Sequence, residues 1–353
     1  MANHEKYMQR CIEIARLGAG RVAPNPMVGC VIVHQNSIIG QGYHIECGHS
    51  HAEVNAIQSV KQPQLLERST LYVSLEPCAH YGRTPPCSAL IIEKKIPHVV
   101  IGTFDPFVAV SGKGIDNLRA GGVNVESGVL NDECRWQNRR FFTFHEKRRP
   151  YIILKWAQTL DGFIDIERKP GQPAEPAWIT GTLARTLVHK SRAEEAAILI
   201  GTNTALKDNP SLTTRDWSGR SPVRLVIDRY NKLPHRMNVF KGNARTIVFT
   251  EKPGIFATGI HYCLIDFKKN VPQQIISELF NLELLSVIIE GGAYTLQQFI
   301  DKGLWDEAHI YSGNQMFFGG VKAPRIDGVL SETIQLDNSS LSILTNRALD
   351  YKL

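Results

Sequence analysis

Glu76-Pro77-Cys78-Ala79-His80-Tyr81-Gly82-Arg83-Thr84-Pro85-Pro86-Cys87, taken with His51-Ala52-Glu53 upstream of it, decides how the chain is read. One imidazole and two thiolates form a borderline-soft donor set that suits zinc, and three protein ligands leave a fourth position for water. Glu53 follows His51 by two residues. In mid-helix that spacing would turn the two side chains to nearly opposite faces. At a first turn both can aim at one point, with the carboxylate beside the metal instead of on it. Bound zinc lowers the pKa of its water to about 7, which makes hydroxide available at neutral pH. Two plainer readings compete: a Cys78–Cys87 disulfide, or two small buried apolar residues. Neither accounts for His51 and Glu53, and the seven cysteines accompany no secretory signal, so a disulfide framework is not expected.

Working outward, 353 residues are enough for two domains, each with its own core. A hydrophobic content of 43% and a charged content of 21% are those of an ordinary globular protein. The net charge of +6 fits small anionic substrates as well as RNA. No apolar run approaches the roughly 20 residues of a membrane span. The first stretch, MANHEKYMQRCIEIARLG, is broken by Glu5, Lys6, Arg10 and Glu13, unlike a signal peptide. It reads as an amphipathic helix with Met8, Cys11, Ile12 and Ala15 on one face, and a cytoplasmic location is expected.

Ala23-Pro24-Asn25-Pro26 is a rigid turn leading into the strand Val28 to Val33. Asn36-Ser37 then makes a hairpin turn into IIGQGYH. Asn25 is either a turn residue or a substrate hydrogen-bonding group. A helix is expected from about His51 to Val60, a buried strand from Leu71 to Glu76, and a second helix opening at Cys87. His51 and Cys87 thus fall at helix starts, where the positive end of the macrodipole favours thiolate and hydroxide. VVIGTFD and GGVNVESGVL complete an α/β sheet. His34, His49 and His98 read as surface or satisfied core residues, and Cys47 lacks the Pro-Cys context. Cys11, Cys30, Cys134 and Cys263 read as packing residues.

The order H-x-E, then P-C, then a second Cys is that of the zinc deaminases, whose glutamate moves protons. PNPMVGCVIV, GYH, HAEVNAI and EPCAHYGRTPPC further resemble the deaminase half of the bifunctional riboflavin-biosynthesis deaminase/reductase family. Eight residues separate the two cysteines here, against two in nucleic-acid deaminases. The resemblance implies a cytidine-deaminase-like α/β/α sandwich over residues 1–146. It also implies zinc on His51, Cys78 and Cys87, with Glu53 as proton shuttle. Asn25, His44, His80 and Arg83 would surround a pyrimidine and its ribosyl phosphate. Phe107, in DPFVAVSGKG, departs from the more usual DPNP.

FFTFHEKRRP (Phe141 to Pro150) reads as a domain boundary, because Tyr151 opens the strand YIILKWAQ. Thr159 to Gly162 makes a turn, Thr180 can cap a helix running to Lys190–Arg192, and AAILIGTNTAL is a strand and turn. RLVID, ARTIVFT and LLSVIIE read as buried strands, so a second α/β domain is expected. Glu290-Gly291-Gly292 separates the last of these from a helix, and such a glycine turn lets backbone N–H groups approach a phosphate. It is not the G-x-G-x-x-G fingerprint.

KWAQTLDG, WITG, HKSRAEEAAILIGTNTALKDNPSLTTR, VRLVID and IIEGG resemble the reductase half of the same family. That likeness implies a dihydrofolate-reductase-like α/β domain over residues 150–353 that uses NADPH. Ala157, Trp178, Thr204 and Asp208 would line the cofactor site. Gly292, Ala293, Tyr294, Thr295, Leu296, Gln297 and Gln298 would meet its phosphates. Arg192, Leu212, Arg215 and Glu290 would hold the substrate, the arginines gripping phosphate in bidentate fashion. Pro176 replaces a frequent serine, and Arg229 a small polar residue, a change that would favour the 2′-phosphate of NADPH.

The expected reactions are hydrolytic deamination of 2,5-diamino-6-ribosylamino-4(3H)-pyrimidinone 5′-phosphate, then NADPH reduction of the ribosyl to a ribityl chain. The partners are that small pyrimidine phosphate and a second copy of the chain, as homodimer or tetramer, with neither nucleic acid nor membrane. The alternative is an RNA or nucleoside base deaminase with an accessory C-terminal domain. It would call for a basic face with aromatic stacking residues, whereas aromatics are 8% and no basic stretch beyond KRRP stands out.

Overall fold

A computed structural model of the protein describes residues 4–79, 85–107, 112–167, 178–252 and 259–347. His80, Arg83 and Pro176 lie outside the described residues. The chain divides into two compact units between Arg148 and Arg149.

In the first unit, strands β1 (Gly29–His34), β2 (Ser37–Tyr43), β3 (Thr70–Leu75), β4 (His98–Thr103) and β5 (Asn124–Ser127) form one sheet in the order β2-β1-β3-β4-β5. The β1 pairings with β2 and β3 are antiparallel, and β3-β4-β5 run parallel. The helices are α1 (His4–Ala15), α2 (Ala52–Gln58), α3 (Cys87–Glu93), α4 (Lys113–Ala120), α5 (Asn131–Gln137) and α6 (Arg139–Lys147). Alternation along β1 shows why the sheet has helices on both faces. Cys30 and Ile32 join the core under Ala56, Ile91 and Leu118, from α2, α3 and α4. Val31 and Val33 join a second core with Met8, Cys11 and Ile12 of α1 and Cys134 of α5. The result is an α/β/α sandwich.

Two glycines on β2 set the position of α2. A Cβ at Gly42 would stand 2.4 Å from the Ala56 nitrogen, and one at Gly40 would stand 2.7 Å from the Ala56 carbonyl oxygen. Only bare backbone lets helix and strand approach so closely. Asn55 fastens the contact by donating from Nδ2 to the Tyr43 carbonyl at 2.8 Å.

The second unit holds β6 (Tyr151–Gln158), β7 (Phe163–Asp165), β8 (Ala197–Gly201), β9 (Val223–Ile227), β10 (Thr246–Thr250), β11 (Ile260–Leu264), β12 (Ser286–Ile289), β13 (Glu307–Gly313), β14 (Val321–Lys322), β15 (Val329–Gln335) and β16 (Ser339–Thr345). Nine of them form a sheet in the order β11-β10-β9-β8-β12-β6-β13-β16-β15, while β7 and β14 pair separately. The run from β11 to β13 is parallel, and β16 and β15 add antiparallel strands at one edge. Its helices are α7 (Thr182–Glu194), α8 (Thr202–Asp208), α9 (Val271–Asn281) and α10 (Ala293–Asp301). One face of the sheet packs Ile275, Leu279, Leu296 and Phe299 of α9 and α10. Ala205 of α8 and Ala184 of α7 belong to cores on other parts of the sheet.

Two local expectations are corrected. The residue capping α7 is Gly181, not Thr180, and no side chain caps that end. The segment after β8 is a helix instead of a turn, because Ala205 is drawn fully into the core with Ile198 and Ile200. Tertiary burial here overrides the turn preference of Thr and Asn.

Candidate active sites

His51 is the N-cap residue of α2, with φ −70° and ψ 164°, and Glu53 lies in that helix's first turn. Cys78 follows β3 by three residues, and Cys87 is the first residue of α3. Two helix starts and a strand end thus bring together residues far apart in sequence. Cys78 Sγ and Cys87 Sγ lie 3.6 and 3.4 Å from His51 Nδ1. Both cysteines are free, so the disulfide reading is excluded. Tetrahedral zinc, with Zn–S near 2.3 Å and Zn–N near 2.0 Å, demands a sulfur-to-nitrogen separation of about 3.5 Å. The donor set fits the ion.

Glu53 is 3% exposed, and its burial, with the nearby Cys78 charge, pushes the carboxyl up to about 7. A hydrogen bond from Cys87, with one from His51, brings Cys78 down to about 4, so this thiolate is the readily formed one. Its hydrogen bond to His51 in turn pulls the imidazole up to about 9.

Asn25 and His44 are brought to this centre. Asn25 Nδ2 is 3.1 Å from His44 Nε2, and the His44 ring meets the His51 ring edge-on at 5.6 Å. His44 Nδ1 faces the Ser50 carbonyl at 3.1 Å. A carbonyl only accepts, so Nδ1 carries the proton and Nε2 accepts from Asn25. Burial lowers the His44 pKa and keeps the ring neutral.

Two organising residues escaped the sequence reading. Asn138 exchanges two hydrogen bonds of 2.8 Å with the backbone of Met27 and so anchors the segment that carries Asn25. Glu76, 4% exposed, accepts from the backbone N–H groups of Asp105, Gly112, Gly114 and Ile115 at 2.9–3.4 Å. A carboxylate at the end of an apolar strand was the available signal, and it was read only as the strand's last residue.

In the second unit, Arg192 of α7 donates from Nη2 to Glu290 at 2.8 Å, with Glu290 directly after β12. Their side chains are 11% and 14% exposed. Lys155 Nζ stands 3.8 Å from Glu290 and over the Tyr311 ring. Burial alone would raise the Glu290 carboxyl, but the Arg192 and Lys155 charges outweigh it and hold it down at about 2. Burial lowers the Lys155 pKa. Arg192 Nε and Glu290 Oε1 are buried with no hydrogen-bond partner among the described residues. Lys155 was missed by the sequence reading, although a lysine inside the apolar strand YIILKWAQ was the visible signal.

Leu212 is buried and has a left-handed backbone with φ 54°. The next residue, Thr213, offers its carbonyl to Arg192 Nη1 at 3.5 Å. Arg215 donates its backbone N–H to His189 Nδ1 at 2.9 Å, and its guanidinium reaches Thr213 Oγ1 at 3.3 Å. Gly292, which caps α10, donates its N–H to Thr204 Oγ1 at 2.9 Å, so two of the cofactor-site expectations meet directly. Leu296 is fully buried and its N–H is already bonded to the Gly292 carbonyl at 3.3 Å. The N–H groups of Ala293, Tyr294 and Thr295 are therefore the helix-start donors. Gln297 is turned toward Arg325, accepting that residue's N–H at 2.9 Å, and Gln298 lies in the next turn of α10. Ala157 is on β6 two residues beyond Lys155, and Asp208 ends α8. Trp178 is 66% exposed and is held through its carbonyl by Gln315. Arg229 is engaged by Glu251 at 2.9 Å.

The first unit thus has the make-up of a zinc-dependent deaminase, and the second offers a buried charged cluster beside a glycine-capped helix. Two family models match: the cytidine and deoxycytidylate deaminase zinc-binding region over residues 1–103, and the RibD C-terminal domain over 150–347. The riboflavin biosynthesis protein RibD of Aquifex aeolicus is 38% identical, over 87% of this chain and 86% of its own. That of Bacillus amyloliquefaciens is 37% identical, over 91% and 87%. A Thermotoga maritima crystal structure, described as a diaminohydroxyphosphoribosylaminopyrimidine deaminase/5-amino-6-(5-phosphoribosylamino)uracil reductase, superposes with a TM-score of 0.88 at 37% identity, covering 97% of this chain and 98% of that one. Acinetobacter baumannii RibD gives 0.87 at 31%, with the same coverage. The chain belongs to the RibD family of riboflavin biosynthesis and is a bifunctional deaminase and reductase, with zinc in the first activity and NADPH in the second.

Proposed function

We propose that the first unit deaminates 2,5-diamino-6-ribosylamino-4(3H)-pyrimidinone 5′-phosphate and that the second reduces the ribosyl group of the product to a ribityl chain. The observation that carries this reading is the pair of sulfur-to-nitrogen separations, 3.6 and 3.4 Å, with a buried Glu53 two residues from the histidine. His51, Cys78 and Cys87 would hold the zinc, which when bound supplies a Lewis acid that acidifies water at neutral pH. Glu53 takes one proton of the attacking water and delivers it to the ring nitrogen, then takes the remaining hydroxyl proton of the adduct and passes it to the departing ammonia. Asn25 and the neutral His44 orient the pyrimidine. His80 and Arg83 complete the contacts to its ribosyl phosphate.

In the second unit NADPH supplies the hydride, delivered to C1′ of the open imine form of the ribose. Ala157, Trp178, Thr204 and Asp208 line the cofactor, and the segment from Gly292 to Gln298 receives its phosphates at the start of α10. Arg192, Leu212, Arg215 and Glu290 hold the substrate. Arg192 Nε, buried with no hydrogen-bond partner among the described residues, supports this, because such an atom awaits a polar ligand. Lys155 joins them on chemical grounds, as a buried cation 3.8 Å from Glu290.

We place the domain limits at 1–146 and 150–353, the enzyme in the cytoplasm, and its working form as a homo-oligomer. No described helix is long and apolar enough to cross a membrane. The edge strand β15 leaves Val329 and Leu330 about half exposed, a natural surface for pairing with another copy. The test is to incubate the protein with the diaminopyrimidine phosphate, with and without NADPH, following ammonia and cofactor oxidation separately. Ammonia release independent of NADPH, followed by cofactor oxidation, is expected. Absence of ammonia from the zinc-loaded protein would overturn the assignment.

A further inference from the structure

Cys263, which the sequence presents as a packing residue, faces a carboxylate in the structure. His261 and Cys263 are two apart on β11 and so share one face of the strand. Glu278 comes from α9, whose Gln274, Glu278 and Asn281 recur at the spacing of a single helix face. Cys263 Sγ lies 3.6 Å from Glu278 Oε1. One ligand atom from each of His261, Cys263 and Glu278 falls within 4.8 Å of the others. The three residues line a cavity of about 370 Å³, which leaves room for water to complete a coordination shell.

We propose that His261, Cys263 and Glu278 form a second metal site, one that takes a borderline divalent transition cation of the zinc class. The donor set is one imidazole, one thiolate and one carboxylate, all ordinary zinc ligands. Tetrahedral zinc places sulfur and carboxylate oxygen about 3.5 Å apart, which the Cys263–Glu278 pair already meets. A thiol and a carboxylate gain little from each other directly, since sulfur is a weak donor. His261 is exposed and Cys263 is buried, so the site spans from solvent into the core. The location gives the site a use. Among the described residues β11 is an edge strand paired only to β10, and a metal bridging it to α9 pins that edge of the reductase unit, because a ligand that binds only the folded state stabilises it.

The site is separate from the deaminase centre, so the two can be counted apart. A Cys78→Ser/Cys87→Ser protein, loaded with zinc chloride and gel-filtered in chelator-free buffer, is expected to retain about one zinc per chain. Adding His261→Ala or Glu278→Gln should remove it. His261 is exposed, so its substitution leaves the fold intact, which circular dichroism checks. Should the double serine variant fail to fold, His261→Ala in the otherwise native chain should lower the zinc content from about two to about one. In the double serine variant loaded with cobalt(II) in place of zinc, a thiolate-to-metal absorption band should appear and vanish when Cys263→Ser is added. A double serine variant that emerges without zinc, or zinc that survives His261→Ala and Glu278→Gln, overturns the proposal.

Discussion

The deaminase centre and the reductase cluster are built on opposite plans. At the first, His51 and Cys87 are fixed by the starts of α2 and α3, and Cys78 by the end of β3. The two sulfurs already lie 3.4 and 3.6 Å from His51 Nδ1. At the second, Arg192, Lys155 and Glu290 come from a helix, mid-strand and strand end, and two of their buried polar atoms, Arg192 Nε and Glu290 Oε1, make no hydrogen bond among the described residues. A metal site can be nearly complete in the protein's own side chains, because the backbone at two helix starts and a strand end already aims them at one point. A site for a cofactor and a phosphorylated sugar is a frame, and its hydrogen bonds close only around what it binds.

The sharpest way to break the comparison is Glu53→Gln. If Glu53 is the proton shuttle proposed above, its loss should lower deamination by about 10²–10⁴-fold, the range that general acid–base catalysis supplies. Zinc content should stay the same, and reduction of the deaminated intermediate should persist. Deamination at the native rate would show that Glu53 moves no proton. On the reductase side the largest effect is structural. Arg192→Ala strips the buried Glu290 of its 2.8 Å partner and should cost about 3–5 kcal/mol of stability. The pH dependence follows from the depressed carboxyl. Glu290 titrates at about 2 when folded, against about 4.3 unfolded. The pair's contribution is therefore full above about pH 4.3 and fades as pH falls toward the folded value. Denaturant unfolding at pH 7 and pH 3 should show the gap between native protein and variant shrinking at the lower pH.

A smaller effect separates anchoring from chemistry. A Cβ on Gly114 would stand 2.0 Å from the Pro77 carbonyl oxygen, next to Cys78. Gly114→Ala should destabilise by about 1–3 kcal/mol, as other forced overpacking does. It should also loosen the segment tied to Glu76, raising KM for deamination and leaving the reductase untouched.

What the sequence made legible follows the same division. His51, Cys78, Cys87 and Glu53 lie in two short runs whose local backbone aims them, so their spacing alone marked them as a candidate cluster, and the structure brings the three donors together. YIILKWAQ was readable as a strand from end to end because each residue is apolar or borders the apolar run. Glu76 gave no such signal, since its four donors sit 29 to 39 residues downstream. Asn138 acts on a residue 111 positions away. The order β8-β12-β6-β13 places strands side by side that are distant in the chain, and no local pattern records which parallel neighbour each strand chooses. Lys155 was hidden for a related reason. A lysine in a strand reads as solvent-facing until β12 brings Glu290 beside it.

Arg215 gives the finest test, because it resembles Arg192 in sequence and differs from it in structure. Its contact with His189 runs through the backbone N–H, which survives any substitution of the side chain. The exposed guanidinium meets only the Thr213 hydroxyl, at 3.3 Å, among the hydrogen bonds drawn above. Arg215→Ala should therefore leave unfolding unchanged where Arg192→Ala does not. If the guanidinium holds the substrate phosphate, its loss removes a charge-assisted hydrogen bond of about 1.5–3 kcal/mol, or roughly ten- to a hundredfold in affinity. The phosphate is remote from the carbon that accepts hydride, so the interaction is the same in ground and transition states. KM for reduction should rise with kcat preserved, and deamination should be unaffected. Arg215→Lys should recover only part of the loss, since a single ammonium cannot reproduce the two-pronged grip. Equal loss of both activities would mean that the two sites are not independent.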